Sequence, residues 1–259
     1  MYNKLYALKI GVLHLPKFFV EPFKVGIDKI IIDNDDVGHI SKVLRHREGD
    51  VITVCDGEKN DYICRIDEIS RGRIVCAVLE KHKNEAEPDV ELTLYLALPK
   101  GDKADFIVQK AVELGAGRIV MFEGENSVAK RPKDARETKK KLLKWQKTAL
   151  EAAKQCGRGV IPKIDGIYTF GEAVEMAKKC DVTVFLHEKE ETGGLYDLYG
   201  KSIKTAALFV GPEGGFSPSE AEYAKASGAH ITGLGRRILR LETAAVAAVA
   251  VIMHITHNL

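Results

Sequence analysis

Two glycine-rich segments close to the C-terminus constrain this chain more than any other feature. The first runs Leu208-Phe209-Val210-Gly211-Pro212-Glu213-Gly214-Gly215-Phe216-Ser217, and the second Leu234-Gly235-Arg236-Arg237-Ile238-Leu239-Arg240-Leu241-Glu242-Thr243-Ala244. Each joins an apolar run to a helix-forming run through a tight turn. With no Cβ in the way, the N–H and C=O groups of such turns approach a ligand closely. Taken singly, each is an ordinary strand-to-helix turn: Gly-Pro and Gly-Gly are common turn dipeptides, and Ser217 before Pro218 is an N-cap followed by an N1 proline. The pair, about twenty residues apart, points to one small-molecule pocket built largely of main chain.

The pocket does not have the signature of a phosphate site. A phosphate loop reads G-x-x-x-x-G-K-[ST], with a lysine to meet the charge. Here Glu213 sits inside the loop and no lysine follows within it. A carboxylate repels phosphate and tolerates a cation or a neutral purine. The segment Glu113-Leu114-Gly115-Ala116-Gly117 has the look of a dinucleotide-binding turn. It follows a predicted helix and opens a predicted strand, the reverse of what that turn requires, so it reads as a helix C-cap.

The chain of 259 residues has a soluble globular composition, 45% hydrophobic and 29% charged. No apolar run reaches the length of a membrane span. Residues 1–14 carry Lys4 and Lys9 but neither an h-region nor a small-residue cleavage site, and read as an extension or a misassigned start. Five cysteines at 55, 64, 76, 156 and 180, without C-x-x-C, argue against zinc and disulfide frameworks and for a reducing cytoplasm. His39 with His46, and His254 with His257, lack the further ligands of a metal site, so no metal is expected. Net charge is only +2, yet nine basic residues lie between Lys130 and Lys147 against Asp134 and Glu137, and a second basic knot is Lys42, Arg45, His46 and Arg47. Alone, either cluster is a solvated face; together they point to a polyanion such as nucleic acid.

The stretch 15–82 reads as mostly β. Lys17–Val20, Lys29–Ile32, Val51–Cys55, Asp61–Ile69 and Arg73–Leu79 are short β-branched and aromatic runs, with Asp56-Gly57 as a hairpin signal. One helix interrupts, capped by Asp35 or Asp36 and carrying Val37, Ile40, Val43 and Leu44 at helical spacing. A small β unit of this kind with a basic knot suits a barrel that grips RNA. A charged, proline-containing linker is expected at 83–90. From 91 to 259 strands and helices alternate, which predicts an α/β domain. Leu92–Leu98 and Thr205–Val210 read as strands buried on both faces of a parallel sheet. Helices are expected with Ala104, Ile107, Val108, Ala111, Val112 and Gly115 on one side, and near 138–155, 170–179, 218–227 and 242–256. Ligands bind such sheets at the carboxyl ends of strands, which singles out the loops after Leu186, Val210 and Thr232.

Taken in order, the motifs resemble the RsmE-type ribosomal RNA methyltransferases of the SPOUT superfamily. The two glycine segments carry most of the likeness. Lys17-Phe18-Phe19-Val20, His39 through Arg45, Gly49-Asp50, Pro99-Lys100-Gly101-Asp102, Gln109-Lys110, Glu113-Leu114-Gly115, Trp145 and Glu151-Ala152-Ala153 add to it. The resemblance implies an N-terminal PUA-like β-barrel that binds RNA and a C-terminal α/β domain tied in a deep trefoil knot. It implies a homodimer, S-adenosylmethionine as cofactor, and methylation of N3 of one uridine in the 16S rRNA of the small ribosomal subunit. Asn126 stands where the family commonly has arginine, and Lys17 replaces another common arginine.

Carried onto this sequence, the cofactor would be held by Leu186, His187, Gly211, Pro212, Glu213, Gly214, Leu234, Gly235, Ile238, Leu239, Thr243 and Ala244. His187 also suits a plain strand-end residue. Arg240 is the expected catalytic cation, because arginine stays charged and cannot act as a base. Glu242 or Glu213 would accept the uridine proton or simply hold Arg240, and a first-turn glutamate also suits a helix N-terminus. RNA contacts are expected from Lys17, Lys42, Arg45, Arg47, Lys130, Arg131, Lys139, Lys140 and Lys144.

Overall fold

In the computed structural model, residues 15–188 and 194–259 are described. They form two compact units: the first comprises the described residues through Glu87 together with Ala153–Ile161, and the second Pro88–Ala152 with the described residues from Pro162 on. The expected extension at 1–14 lies outside the described residues.

The first unit is a five-stranded sheet in the order β1-β3-β4-β5-β2, with β1 Lys17–Phe19, β2 Lys29–Ile32, β3 Val51–Cys55, β4 Asn60–Ser70 and β5 Arg73–Lys83. β1 and β3 pair in parallel and the other neighbours are antiparallel. Ile52, Val54, Cys64, Ile66, Ile74 and Cys76 recur at a period of two and are fully buried. Phe18, Ile30, Ile32 and Ile40 complete this core. β4 and β5 are each 11 residues long, and β5 runs through Lys83 into the stretch that reads as a linker.

The helix after β2 differs from its sequence pattern. It begins as a single α-turn, Asp36–Gly38, and continues as a π-helix, His39–Val43. Val37 and Ile40 face the core as expected, but Val43 and Leu44 are exposed. The wider turn, closed by Leu44 N–H on the His39 carbonyl, advances less per residue and carries these two side chains off the buried face.

Residues 153–161 are built into this unit by polar contacts. Glu87 accepts hydrogen bonds from the Arg158 guanidinium and from Gly159 and Val160 N–H. Lys17 donates to Asp61 and to the carbonyls of Gly157 and Arg158. A Cβ at Gly159 would lie 2.6 Å from the Asn84 side chain, so only glycine passes there.

The second unit holds a six-stranded sheet in the order β11-β9-β10-β6-β7-β8: β6 Glu91–Ala97, β7 Arg118–Glu123, β8 Lys163–Thr169, β9 Val182–Leu186, β10 Thr205–Val210 and β11 His230–Thr232. Every neighbouring pair is parallel. The helices are α1 Lys103–Glu113, α2 Ala135–Cys156, α3 Phe170–Ala177, α4 Pro218–Ala226 and α5 Leu241–Ile255. α2 starts earlier than its apolar pattern indicates, because Asp134 accepts from the Arg136 and Thr138 N–H groups and caps it. Central strands β6 and β10 are buried almost throughout, which is why they read as unbroken apolar runs.

β8 has no counterpart in the sequence reading. Its buried residues, Ile164 and Ile167, stand three apart because Gly166 adopts φ +82° where the pairing with β7 slips. The bulge hides the period of two. Gly115, at φ +103°, ends α1 as the C-cap reading requires.

Strands β6, β7 and β8 progress to one side of β6, while β10, β9 and β11 lie on the other. The strand order therefore reverses between β6 and β10, and a crevice opens beyond the carboxyl ends of that pair.

Candidate cofactor site

Four loops leave those carboxyl ends and enclose a cavity of about 360 Å³, within the range of small-molecule sites. Leu186, His187 and Glu188 come from the end of β9, and Val210–Glu213, Gly215 and Phe216 from the end of β10. Gly233–Gly235, Arg237–Leu241 and Ala244 follow β11, and Lys103 follows β6.

The loop after β10 is held from below by aromatic packing. Phe216 lies against Phe185 with ring centroids 3.9 Å apart, and stacks on Phe122 at 6.1 Å. A Cβ at Gly211 would meet the Phe216 ring at 2.8 Å, and one at Gly214 would meet Asn126 at 3.1 Å. Gly215 adopts φ +71° and closes the turn through its N–H on the Pro212 carbonyl. Ser217 caps α4 in a reciprocal capping box with Glu220. Glu220 also accepts from Glu125 N–H, and the Asn126 amide donates to the Gly215 carbonyl at 3.2 Å. Asn126, where an arginine is common in the family, thus props the first glycine loop.

The loop after β11 is tied to β9 by His187 N–H on the Thr232 carbonyl. Gly235 takes φ +89°, and a Cβ there would meet nothing within 4 Å, so its glycine is required by conformation rather than by crowding. Arg240 is the N-cap residue of α5. Among the described residues, its exposed side chain has no hydrogen-bond or ion-pair partner.

Two acids at the site, Glu213 and Glu242, stand round one lysine. Lys103 Nζ lies 3.1 Å from Glu213 Oε1 and 3.4 Å from Glu242 Oε2. Lys100 N–H also donates to Glu213 Oε1 at 3.2 Å. Burial works to raise the Glu213 carboxyl, but main-chain N–H donors and the Lys103 ammonium outweigh it and leave the group below the usual glutamate value. The hydrogen bond to Glu213 holds the Lys103 ammonium above its ordinary value. Glu242 Oε2 is buried and makes no hydrogen bond among the described residues.

Of the residues singled out from sequence, Leu186, His187, Gly211, Pro212, Glu213 and Leu234 line the cavity. Gly235, Ile238, Leu239, Arg240 and Ala244 line it as well. Gly214 faces Asn126 instead, Thr243 is exposed on the first turn of α5, and Glu242 reaches the cavity only through Lys103. Lys103, Glu188, Phe216, Gly233 and Arg237 also stand on the wall and were not anticipated. Lys103 had a usable signal: it follows the Gly101 turn, φ +67°, at the end of the apolar run Leu92–Leu98.

The basic residues divide by environment. Lys17 is enclosed: its side chain is 8% exposed and its ammonium meets Asp61 at 2.7 Å and two carbonyls, a setting that does not present it to a phosphate as the sequence reading expected. Lys42, Arg45 and Arg47 are exposed and make no ion pair among the described residues. Arg45 adopts φ +58°, a conformation rare outside glycine. Lys139 and Lys140 are exposed and unpaired among the described residues. Lys130 approaches Glu123, Arg131 approaches Glu172, and Lys144 binds Asp105; all three are exposed pairs worth little against a competing phosphate. No group of three or more His, Cys, Asp or Glu among the described residues is placed to hold a metal ion, and no helix among them is long and apolar enough to cross a membrane.

The family model described as an RNA methyltransferase domain matches residues 86–253, and the one described as an RNA methyltransferase PUA domain matches residues 32–79. Ribosomal RNA small subunit methyltransferase E of Bacillus subtilis is 31% identical over 254 residues, covering 95% of this chain and 98% of the relative. The crystal structure of the corresponding enzyme from Neisseria gonorrhoeae, bound to S-adenosyl methionine, superposes with a TM-score of 0.83 at 28% identity, over 93% of this chain and 98% of that one. A Legionella pneumophila chain solved in complex with the same cofactor matches with a TM-score of 0.83 at 26% identity, again over 93% and 98%. A two-unit chain with a PUA-like domain, a parallel α/β sheet and paired glycine loops at its switch point thus belongs to the RsmE-type RNA methyltransferase family.

Proposed function

We propose that this protein is an S-adenosylmethionine-dependent methyltransferase that modifies N3 of one uridine in the 16S rRNA of the small ribosomal subunit. The observation that carries the reading is the convergence of both glycine loops on one cavity, with a carboxylate rather than a lysine inside the first. The residues present fit the cofactor. Gly211 and Gly235 keep the backbone bare where a Cβ would crowd or strain the loop. Glu213 and Glu188 on the wall suit a cationic ligand. Main chain at Gly211 and Gly235 would hold adenine and ribose, and Leu239 would give apolar contact. S-adenosylmethionine, when bound, supplies an electrophilic methyl group.

The chain's own task is to position uracil and manage one proton. The N3 proton passes to a carboxylate, and the electron pair it leaves is shared with the flanking carbonyls. Arg240, with a guanidinium free of partners among the described residues, would stabilise that charge. Glu213 already accepts from Lys100 and Lys103, whereas Glu242 Oε2 makes no hydrogen bond among the described residues. Glu242 Oε2 nevertheless meets the Lys103 ammonium at 3.4 Å, so the reading leaves the proton to Glu213 or Glu242.

The PUA-like unit, with Lys42, Arg45 and Arg47, and the basic stretch Lys130–Lys147 would hold RNA by phosphate contacts. The same reading makes 15–82 the RNA-gripping domain and 91–259 the methyltransferase domain, knotted where the loops after β9, β10 and β11 converge. It also makes the protein a cytoplasmic homodimer that takes RNA, alone or in the assembled subunit. Mass spectrometry of 16S rRNA from a strain lacking the gene tests the proposal. One uridine should lose a single methyl on its base and regain it on complementation. Loss of a ribose methyl, of a tRNA methyl, or of none would reject it.

A further inference from the structure

We infer that Lys103 is a positioning residue that keeps Arg240 available, by occupying the two carboxylates that would otherwise capture it. The inference rests on the proposed methyl transfer and names a residue that reading does not use.

The cavity wall carries three cationic side chains, Lys103, Arg237 and Arg240. Lys103 alone of these is engaged. Its ammonium stands between Glu213 on the loop after β10 and Glu242 on the first turn of α5. These lie on the two loops that build the pocket, so one side chain from the loop after β6 faces both. Arg237 and Arg240 have no partner among the described residues, although Arg240 lines the same cavity as Glu213 and is two residues from Glu242.

Opposite charges sharing a partly water-excluded site pair unless a better partner is present. Guanidinium is the stronger competitor, because it binds carboxylate through two parallel N–H donors. That Arg240 is nonetheless unpaired needs a cause, and Lys103 supplies one. It lies at hydrogen-bond distance from Glu213, with Lys100 N–H filling more of that oxygen's capacity. It stands 3.4 Å from Glu242 Oε2, close enough to satisfy its charge without making the short bond that would block its lone pair. If Lys103 loses its charge, Glu213 on the cavity wall and Glu242 behind it are left without their cation, and Arg240 turns to meet them. The guanidinium then no longer stands where charge develops on uracil, while the backbone that holds the cofactor is unchanged.

The test is a double-mutant cycle on the purified protein, with small-subunit RNA as substrate and S-adenosylmethionine binding measured alongside. Lys103→Met keeps the alkyl stem and removes the charge. It should lower kcat at least about tenfold while the Kd for S-adenosylmethionine moves less than about threefold. Lys103→Arg should recover most of the lost rate. Arg240→Ala should cost about a hundredfold in the wild-type background but no more than about tenfold once Lys103 is Met, so that the double variant is no worse than Arg240→Ala alone. Multiplying losses would show that Lys103 acts independently of Arg240 and overturn the inference. So would an unaltered kcat in Lys103→Met, or equal losses in Met and Arg variants. Cofactor binding reports whether each variant is folded. A wild-type protein that transfers no methyl group would instead reject the proposed function.

Discussion

Gly211→Ala isolates the geometry of the first glycine loop. Gly211 does not have a positive φ, unlike Gly215 and Gly235, so alanine is not strained by its backbone. The cost is steric. The new Cβ would sit 2.8 Å from two carbons of the Phe216 ring and 3.3 Å from a third. Phe216 has little room to give way, being 9% exposed and packed on Phe185 at 3.9 Å and Phe122 at 6.1 Å. Overpacking by one methyl in such a setting costs about 1–3 kcal/mol. In the free protein the loop relieves part of this by lifting off the ring. With cofactor bound it is held in place, so most of the cost falls on binding. At 1.4 kcal/mol per decade, affinity for S-adenosylmethionine should fall about 10–100-fold by titration calorimetry. Phe216→Ala in the same chain removes the three colliding ring carbons and should restore part of the affinity. If Gly211→Ala binds within about threefold of wild type, the loop is not held by this contact and the account of it fails.

Arg240→Ala should lower turnover about a hundredfold, as when one charge-stabilising donor is removed, with cofactor affinity nearly unchanged; near-normal single-turnover rates would remove Arg240 from the chemistry. RNA affinity should fall steeply with salt in a filter-binding series while cofactor affinity stays flat, because each phosphate contact releases a counterion; equal slopes would dissociate the basic stretches from RNA. Glu87→Gln breaks a buried pair whose side chains are 6% and 4% exposed and should destabilise the protein by about 3–5 kcal/mol at neutral pH. Burial alone would raise the Glu87 carboxyl, but Arg158 and the Gly159 and Val160 N–H groups outweigh it and lower it. Its contribution is therefore present above the ordinary glutamate value of 4.5 and is lost as pH falls through the lower folded value. Wild type should lose part of its margin over Glu87→Gln in that window, and parallel acid melts of the two would contradict this.

The parts of the fold legible in sequence were those fixed by local chemistry. Ser217-Pro218 announces a helix start because the cap, the N1 proline and Glu220 lie within four residues. The apolar runs ending at Leu98 and Val210 announce buried parallel strands because burial on both faces removes alternation. Most residues proposed for the cofactor line one cavity because two short glycine turns contain them. What stayed hidden depends on contacts distant in sequence. Lys17 looks like an exposed basic residue until Asp61 and the carbonyls of Gly157 and Arg158 enclose it. Residues 153–156 finish a helix that begins in the second unit, and nothing local assigns them or residues 157–161 to the first. β8 was obscured by one glycine bulge, and Val43 and Leu44 by a π-turn that breaks the 3.6-residue period. Lys103 could not be ranked from its neighbours, because its meaning comes from two glutamates more than a hundred residues away.

The central claim is that the cavity between the two glycine loops holds S-adenosylmethionine. Calorimetric titration of the folded wild-type protein with that compound and with its demethylated product is the most direct measurement. One site per chain that both compounds share, and that Gly211→Ala weakens, is the expected result. No heat with either, from protein whose melting is cooperative, would contradict the account.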